Sequence, residues 1–192
     1  MSAARHLELV PDLNDATSSA PSDPWHAEDQ LIGSLMWLNR GDAQTLLFLV
    51  PATAIWQPTA RWAYELITAT VERGHDPTPV AVKAAGCYRR ADDALAAERP
   101  PTARQQQQLA HYLFEAYSKA AVPSVAARGY AREVLDEAYR RTFESFGIRM
   151  QELAASGADR DDLADQFTKM RDELGALCRL AEIAAQPERK PQ

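Results

Sequence analysis

The sequence predicts an all-α protein, a compact helical bundle closed by a long C-terminal antiparallel helical hairpin. Apolar residues recur at three- and four-residue spacing along nearly the whole chain, with almost no strand-like alternation. Prolines, glycines and capping residues punctuate those stretches where helices start and stop. The last third, from Ser124 to about Ala155 and on to Ala184, holds helical period without a single proline.

Residues 1–24 carry Pro11, Pro21 and Pro24 among Ser, Asp, Asn and Thr, with only Leu7–Val10 apolar, and are expected to form a flexible tail. Residues 25–122 read as a helical globular subdomain. Its first helix, Trp25 to Asn39, sets Leu31, Leu35 and Leu38 four and three apart, behind an Asp23-Pro24 start signal. Asp42 is positioned to cap a short helix ending before Pro51. Pro58 opens Thr59–Arg73, striped by Trp62, Leu66 and Ala69 and closed by Gly74. An extended Asp76–Pro79 link leads into a short helix, Val80–Ala85. Gly86–Thr102 reads as a polar loop with one helical turn at Ala91–Glu98, and Gln105 leads into a helix carrying Leu109, Tyr112, Leu113 and Ala116. Trp37, Trp56, Trp62 and Trp25 are expected in the core, with Trp25 and Trp56 as alternatives for facing a partner.

Residues 123–185 read as the hairpin. Leu135, Tyr139, Phe143, Phe146, Met150 and Leu153 recur at 4,4,3,4,3 along its first arm. Ser156-Gly157-Ala158-Asp159 makes the turn, glycine ending one helix and aspartate capping the next. The second arm carries Leu163, Phe167, Met170, Leu174, Leu177, Ala181 and Ala184 at 4,3,4,3,4,3, a heptad seam over three repeats. Arms of about 25–30 residues reach roughly 40 Å. Such a hairpin projects beyond a small body, so its outer apolar faces, including Tyr130, Val134 and Ala138, are expected to need a partner. Residues 186–192 are expected to form a second flexible tail.

The chain's 192 residues, 46% hydrophobic and 25% charged, suit one domain with a single core. A net charge of −6 argues against a main task of gripping phosphate backbones. The 17 arginines against 4 lysines reflect the bias of GC-rich coding more simply than nucleic-acid binding. No apolar run approaches the roughly 18 residues of a membrane span, and the N-terminus lacks a secretory apolar region. Cys87 and Cys178 are too few for a disulfide framework and fit reduced thiols in a cytoplasmic protein.

Residues arranged for chemistry are scarce. His6, His26, His75 and His111 are scattered, and the zinc-protease and serine-hydrolase patterns are absent. No lysine follows a glycine, so there is no phosphate-cradling loop to hold a nucleotide's β- and γ-phosphates. The Asp159–Asp162 cluster sits where negative charge meets a helix N-terminus. No catalytic, cofactor-binding or metal site is therefore expected. Arg128, Arg132, Arg140, Arg141 and Arg149 could form a DNA-facing stripe. Glu133, Asp136, Glu137 and Glu144 interleave with them, and pairs such as Glu137–Arg141 favour a salt-bridged solvent face.

The order of motifs resembles the N-terminal domain of DnaB-type replicative helicases. Ala27-Glu28-Asp29-Gln30-Leu31-Ile32-Gly33-Ser34-Leu35-Met36 is similar to that family's AEQ-x-x-LG-x-L opening. Ile55–Tyr64 occupies the place of its aromatic helix, and Gly74–Val80 resembles its G-x-P-(I/V)-D link. Tyr112–Ala116, Pro123 and Tyr130–Val134 echo the segment before its closing hairpin. The likeness spans roughly residues 26–184. Trp62 and the polar Gly86–Gln108 connection depart from the pattern, and nothing here resembles the family's ATPase motor.

The resemblance implies a non-enzymatic, cytoplasmic interaction module and an accessory to DNA replication. Its implied partners are a second copy of itself (a homodimer or higher assembly) and a replicative helicase, primase or helicase loader. The expected hairpin and dimer surface comprises Leu135, Tyr139, Phe143, Phe146 and Met150 with Leu163, Phe167, Met170, Leu174 and Leu177. The alternative is a helical DNA-binding regulator reading through residues 59–73 or 105–118.

Overall fold

The computed structural model describes residues 24–89, 100–120 and 123–186. Both expected tails, apart from residues at their inner edges, lie outside that part, as do Ala91–Glu98 and the side chain of Trp25. Among the described residues the protein is all-α. Seven helices run in the order α1 (Pro24–Trp37), α2 (Arg40–Leu49), α3 (Pro58–Glu72), α4 (Pro79–Ala85), α5 (Ala103–Lys119), α6 (Pro123–Ala155) and α7 (Arg160–Ala185), with a 3-10 turn at Ala52–Ala54.

Local chemistry sets the ends. Asn39, rather than Asp42, caps α2: its side-chain oxygen accepts from the Asp42 amide at 3.0 Å, and its Nδ2 donates to the Asp42 carboxylate at 2.8 Å. Asp42 sits one turn in, where its charge meets the helix dipole. Thr102 and Gln105 form a reciprocal capping box on α5. Asp159 caps α7 by accepting from the amides of Asp161 and Asp162. Gly74 and Gly157 take φ values of +91° and +75°, closing α3 and α6 in a conformation that side chains resist.

Helix α1 is the keel. It lies along α6 on one side and crosses α5 and α3 on others, so Leu31, Ile32 and Leu35 are essentially inaccessible. Gly33 permits the α5 crossing, since a Cβ there would run into the carbonyl of Ala116 and come within 2.9 Å of Ala120 Cβ. The base of the hairpin belongs to the same core through Ala127, Ala131, Val134, Leu135, Ala138, Ala181 and Ala184. This corrects the expectation that Tyr130, Val134 and Ala138 face outward. Val134 and Ala138 are buried and Tyr130 is half-buried, because α1 covers that side of α6.

The tryptophans divide differently from expectation. Trp62 is buried, and its Nε1 donates to the carbonyl of Arg89. Trp37 is 54% exposed, lying flat on Tyr117 with ring centroids 4.3 Å apart and its Nε1 donating to the Tyr117 carbonyl. That stack fastens the end of α1 to the end of α5 from outside the core. Trp56 is exposed beside the hairpin.

Candidate association surface

With its base in the core, the hairpin's outer length is mostly exposed. Helix α6, at 33 residues, is about 50 Å long. Leu135 is fully buried in the common core and Leu174 is buried between the arms. Phe146, Met150, Leu163, Met170 and Leu177 are half-buried. Tyr139, Phe143 and Phe167 stand 37%, 57% and 52% exposed.

Those three aromatics share a flank. Tyr139 and Phe143 are one turn apart on α6, and Tyr139 lines a recess with Leu177, Cys178, Ala181 and Glu182 of α7. Phe167 precedes Cys178 by close to three whole turns, which puts it on the same side of α7. At the seam itself, Gln166 is buried where the leucine spacing would set Phe167, and its Nε2 has no hydrogen-bond partner. The one-residue offset rotates Phe167 out to the flank.

A polar node fixes how the hairpin meets the body. Glu28, nearly inaccessible in α1, accepts from the amide nitrogens of Trp56 at 2.7 Å and Gln57 at 3.1 Å. Arg141 of α6 approaches the same carboxylate at 3.8 Å, donates to the carbonyl of Ala54 at 2.6 Å and lies 5.7 Å from the centre of the Trp56 ring. Burial lowers the Arg141 pKa from its ordinary value while Glu28 and Glu137 oppose that shift. Arg61 donates twice to the carbonyl of Ile55. Four elements, α1, the 3-10 turn, α3 and α6, are thus tied within one polar cluster.

The same node answers the arginine stripe. Arg132 pairs with Asp136, and Arg128 donates to the carbonyl of Gln186. The expected Glu137–Arg141 ion pair is replaced by Glu137–Arg140, because Arg141 turns toward the body. Among the described residues no three His, Cys, Asp or Glu side chains converge as a metal site. No described helix is long and apolar enough to cross a membrane.

The Ala27–Met36 motif now has a physical explanation. Glu28 holds the node, Asp29 accepts from the Tyr112 hydroxyl at 2.9 Å, and the Gln30 amide donates to the Lys119 carbonyl at 3.0 Å. Gly33 allows the crossing, and Ala27, Leu31, Ile32, Leu35 and Met36 fill the core. The motif is therefore a docking strip for the surrounding helices.

No protein-family profile matches the sequence, and no curated protein matches it. Among solved structures it is similar to the N-terminal domain of DnaB helicase from Mycobacterium tuberculosis. The TM-score is 0.59 and the identity 19%, over 76% of this chain and 94% of that one. The resemblance read from the motifs is therefore matched in three dimensions, and the chain has the fold of the DnaB helicase N-terminal domain.

Proposed function

We propose that this chain is a non-enzymatic interaction module that pairs with a second copy of itself through the flank of the hairpin. The observation that supports it is the Tyr139–Phe143–Phe167 flank, three large aromatics left in water on a projecting arm. Aromatic side chains are the commonest anchors of protein interfaces, and covering apolar area yields about 25 cal/mol per Å². Leu135, Phe146, Met150, Leu163, Met170, Leu174 and Leu177 keep the two arms together, and the exposed aromatics supply the contact between copies. The likeness in fold to a helicase domain supports a role beside a replicative helicase, primase or helicase loader, as an accessory to replication. Light scattering over a concentration series tests the pairing. The mass should rise toward twice 21.3 kDa in the micromolar range. A folded chain that stays at the single mass throughout contradicts it.

For residues 59–73, one of its two candidate helices, the DNA-reading alternative receives less support. Ten of the fifteen residues of α3 are buried, so that helix has no continuous face to lay in a groove.

A further inference from the structure

Between the body and the hairpin lies a cleft of about 360 Å³ whose charge opposes that of the whole molecule. Its lining includes Arg61, Arg141 and Arg149 with Glu173 among the described residues, and Glu28 stands behind Arg141 at 3.8 Å, which leaves the cleft net positive in a chain of net charge −6. Trp56, 61% exposed, and Phe146 give it apolar walls. Two of the positive charges are held in position: Arg61 is fastened to the Ile55 carbonyl and Arg141 to the Ala54 carbonyl. Arg149 makes no hydrogen bond or ion pair among the described residues. Such a cleft suits an extended segment that carries carboxylates between apolar side chains.

The chain contains one, Leu7-Glu8-Leu9-Val10-Pro11-Asp12-Leu13, with four apolar side chains and two carboxylates. It belongs to residues 1–23, outside the described part, and that stretch joins the body at Pro24. Pro24 lies one turn before Glu28 on the same face of α1, and Glu28 is the residue that meets Trp56 and Arg141. The point of attachment is therefore one helical turn from a residue that meets two of the cleft's walls. The eleven steps from Leu13 to Pro24 can span up to about 36 Å, more than enough to turn back into the cleft. Tethering supplies a local concentration on the order of millimolar, so modest contacts suffice for occupancy.

We propose that the cleft walled by Trp56, Phe146 and the three arginines is a receptor for an acidic, leucine-bearing segment, and that Leu7–Leu13 of the same chain occupies it. Glu8 and Asp12 face the guanidinium groups, and the leucines cover Trp56 and Phe146. This inference does not depend on pairing between copies.

The test places the photo-crosslinker p-benzoylphenylalanine at Leu9 in the full chain, at low salt, and maps the products by mass spectrometry. Cross-links should form within one chain, to Thr53, Trp56, Phe146 or Arg149. Their yield should fall about fivefold or more in Glu8→Lys/Asp12→Lys, which leaves the folded body untouched, and in Arg149→Glu. Cross-links spread over other surfaces, formed only between copies, or undiminished by the charge reversals would overturn the proposal.

Discussion

Glu28 accepts a hydrogen bond from the backbone amide of Trp56, 28 residues further along the chain, at 2.7 Å. That bond joins α1 to the turn before α3, and Arg141 brings the hairpin to the same carboxylate. A nearly inaccessible carboxylate with these partners is costly to disturb, since removing it strands a partly buried guanidinium and two amides. Glu28→Ala should lower stability by about 3 kcal/mol or more, read from urea unfolding. A loss below about 1 kcal/mol, typical of exposed ion pairs, would show that the node is peripheral.

Two glycines should respond in opposite directions to the same change. At Gly33 a methyl group meets the Ala116 backbone, which cannot rotate away, so Gly33→Ala should cost about 3 kcal/mol by forcing α1 from α5. At Gly147, inside α6, nothing lies within 4 Å of an added Cβ. There the helix preference for alanine acts unopposed, and Gly147→Ala should stabilise by about 1 kcal/mol. Equal thermal shifts in the two variants would contradict the close crossing.

The stability should fall in alkali. Burial and the neighbouring Asp29 carboxylate raise the Tyr112 pKa above its ordinary 10.0, and burial raises that of Tyr64 as well. Above about pH 10 the unfolded chain therefore releases phenolic protons that the folded chain retains, which drains stability as pH rises. Tyr112→Phe should be less stable than the parent at pH 8, having lost its bond to Asp29, yet decline less steeply between pH 10 and 11. Parallel declines in urea midpoint would remove Tyr112 as a source of the effect.

Much of this architecture is legible in the sequence because it is local. Gly74 and Gly157 end helices through their own backbone freedom, Asp159 begins one through its side chain, and the leucine spacing of α7 predicts its buried side to within a residue. What resists reading is what covers each apolar face. Val134 and Ala138 give the same periodic signal whether α1 or a second protein lies over them. Periodicity also cannot separate Gln166 from Phe167, since adjacent positions at the edge of a stripe trade places with a small rotation of the helix. Trp37 illustrates a different limit. Its exposed stack on Tyr117 joins residues 80 positions apart, and no short-range pattern encodes that meeting. The Arg61–Arg141–Arg149 cleft is likewise missed by a search along one helix, because it assembles arginines from α3 and α6.

Pairing through the exposed aromatics of the hairpin is tested most directly by sedimentation equilibrium of Phe143→Glu/Phe167→Glu beside the parent chain. Both side chains are about half in water, so the double variant should keep the parent's melting temperature. Its dimer dissociation constant should rise about a hundredfold, roughly tenfold for each interface aromatic removed. An unchanged dissociation constant in a fully folded double variant, or a parent that never pairs, would contradict it.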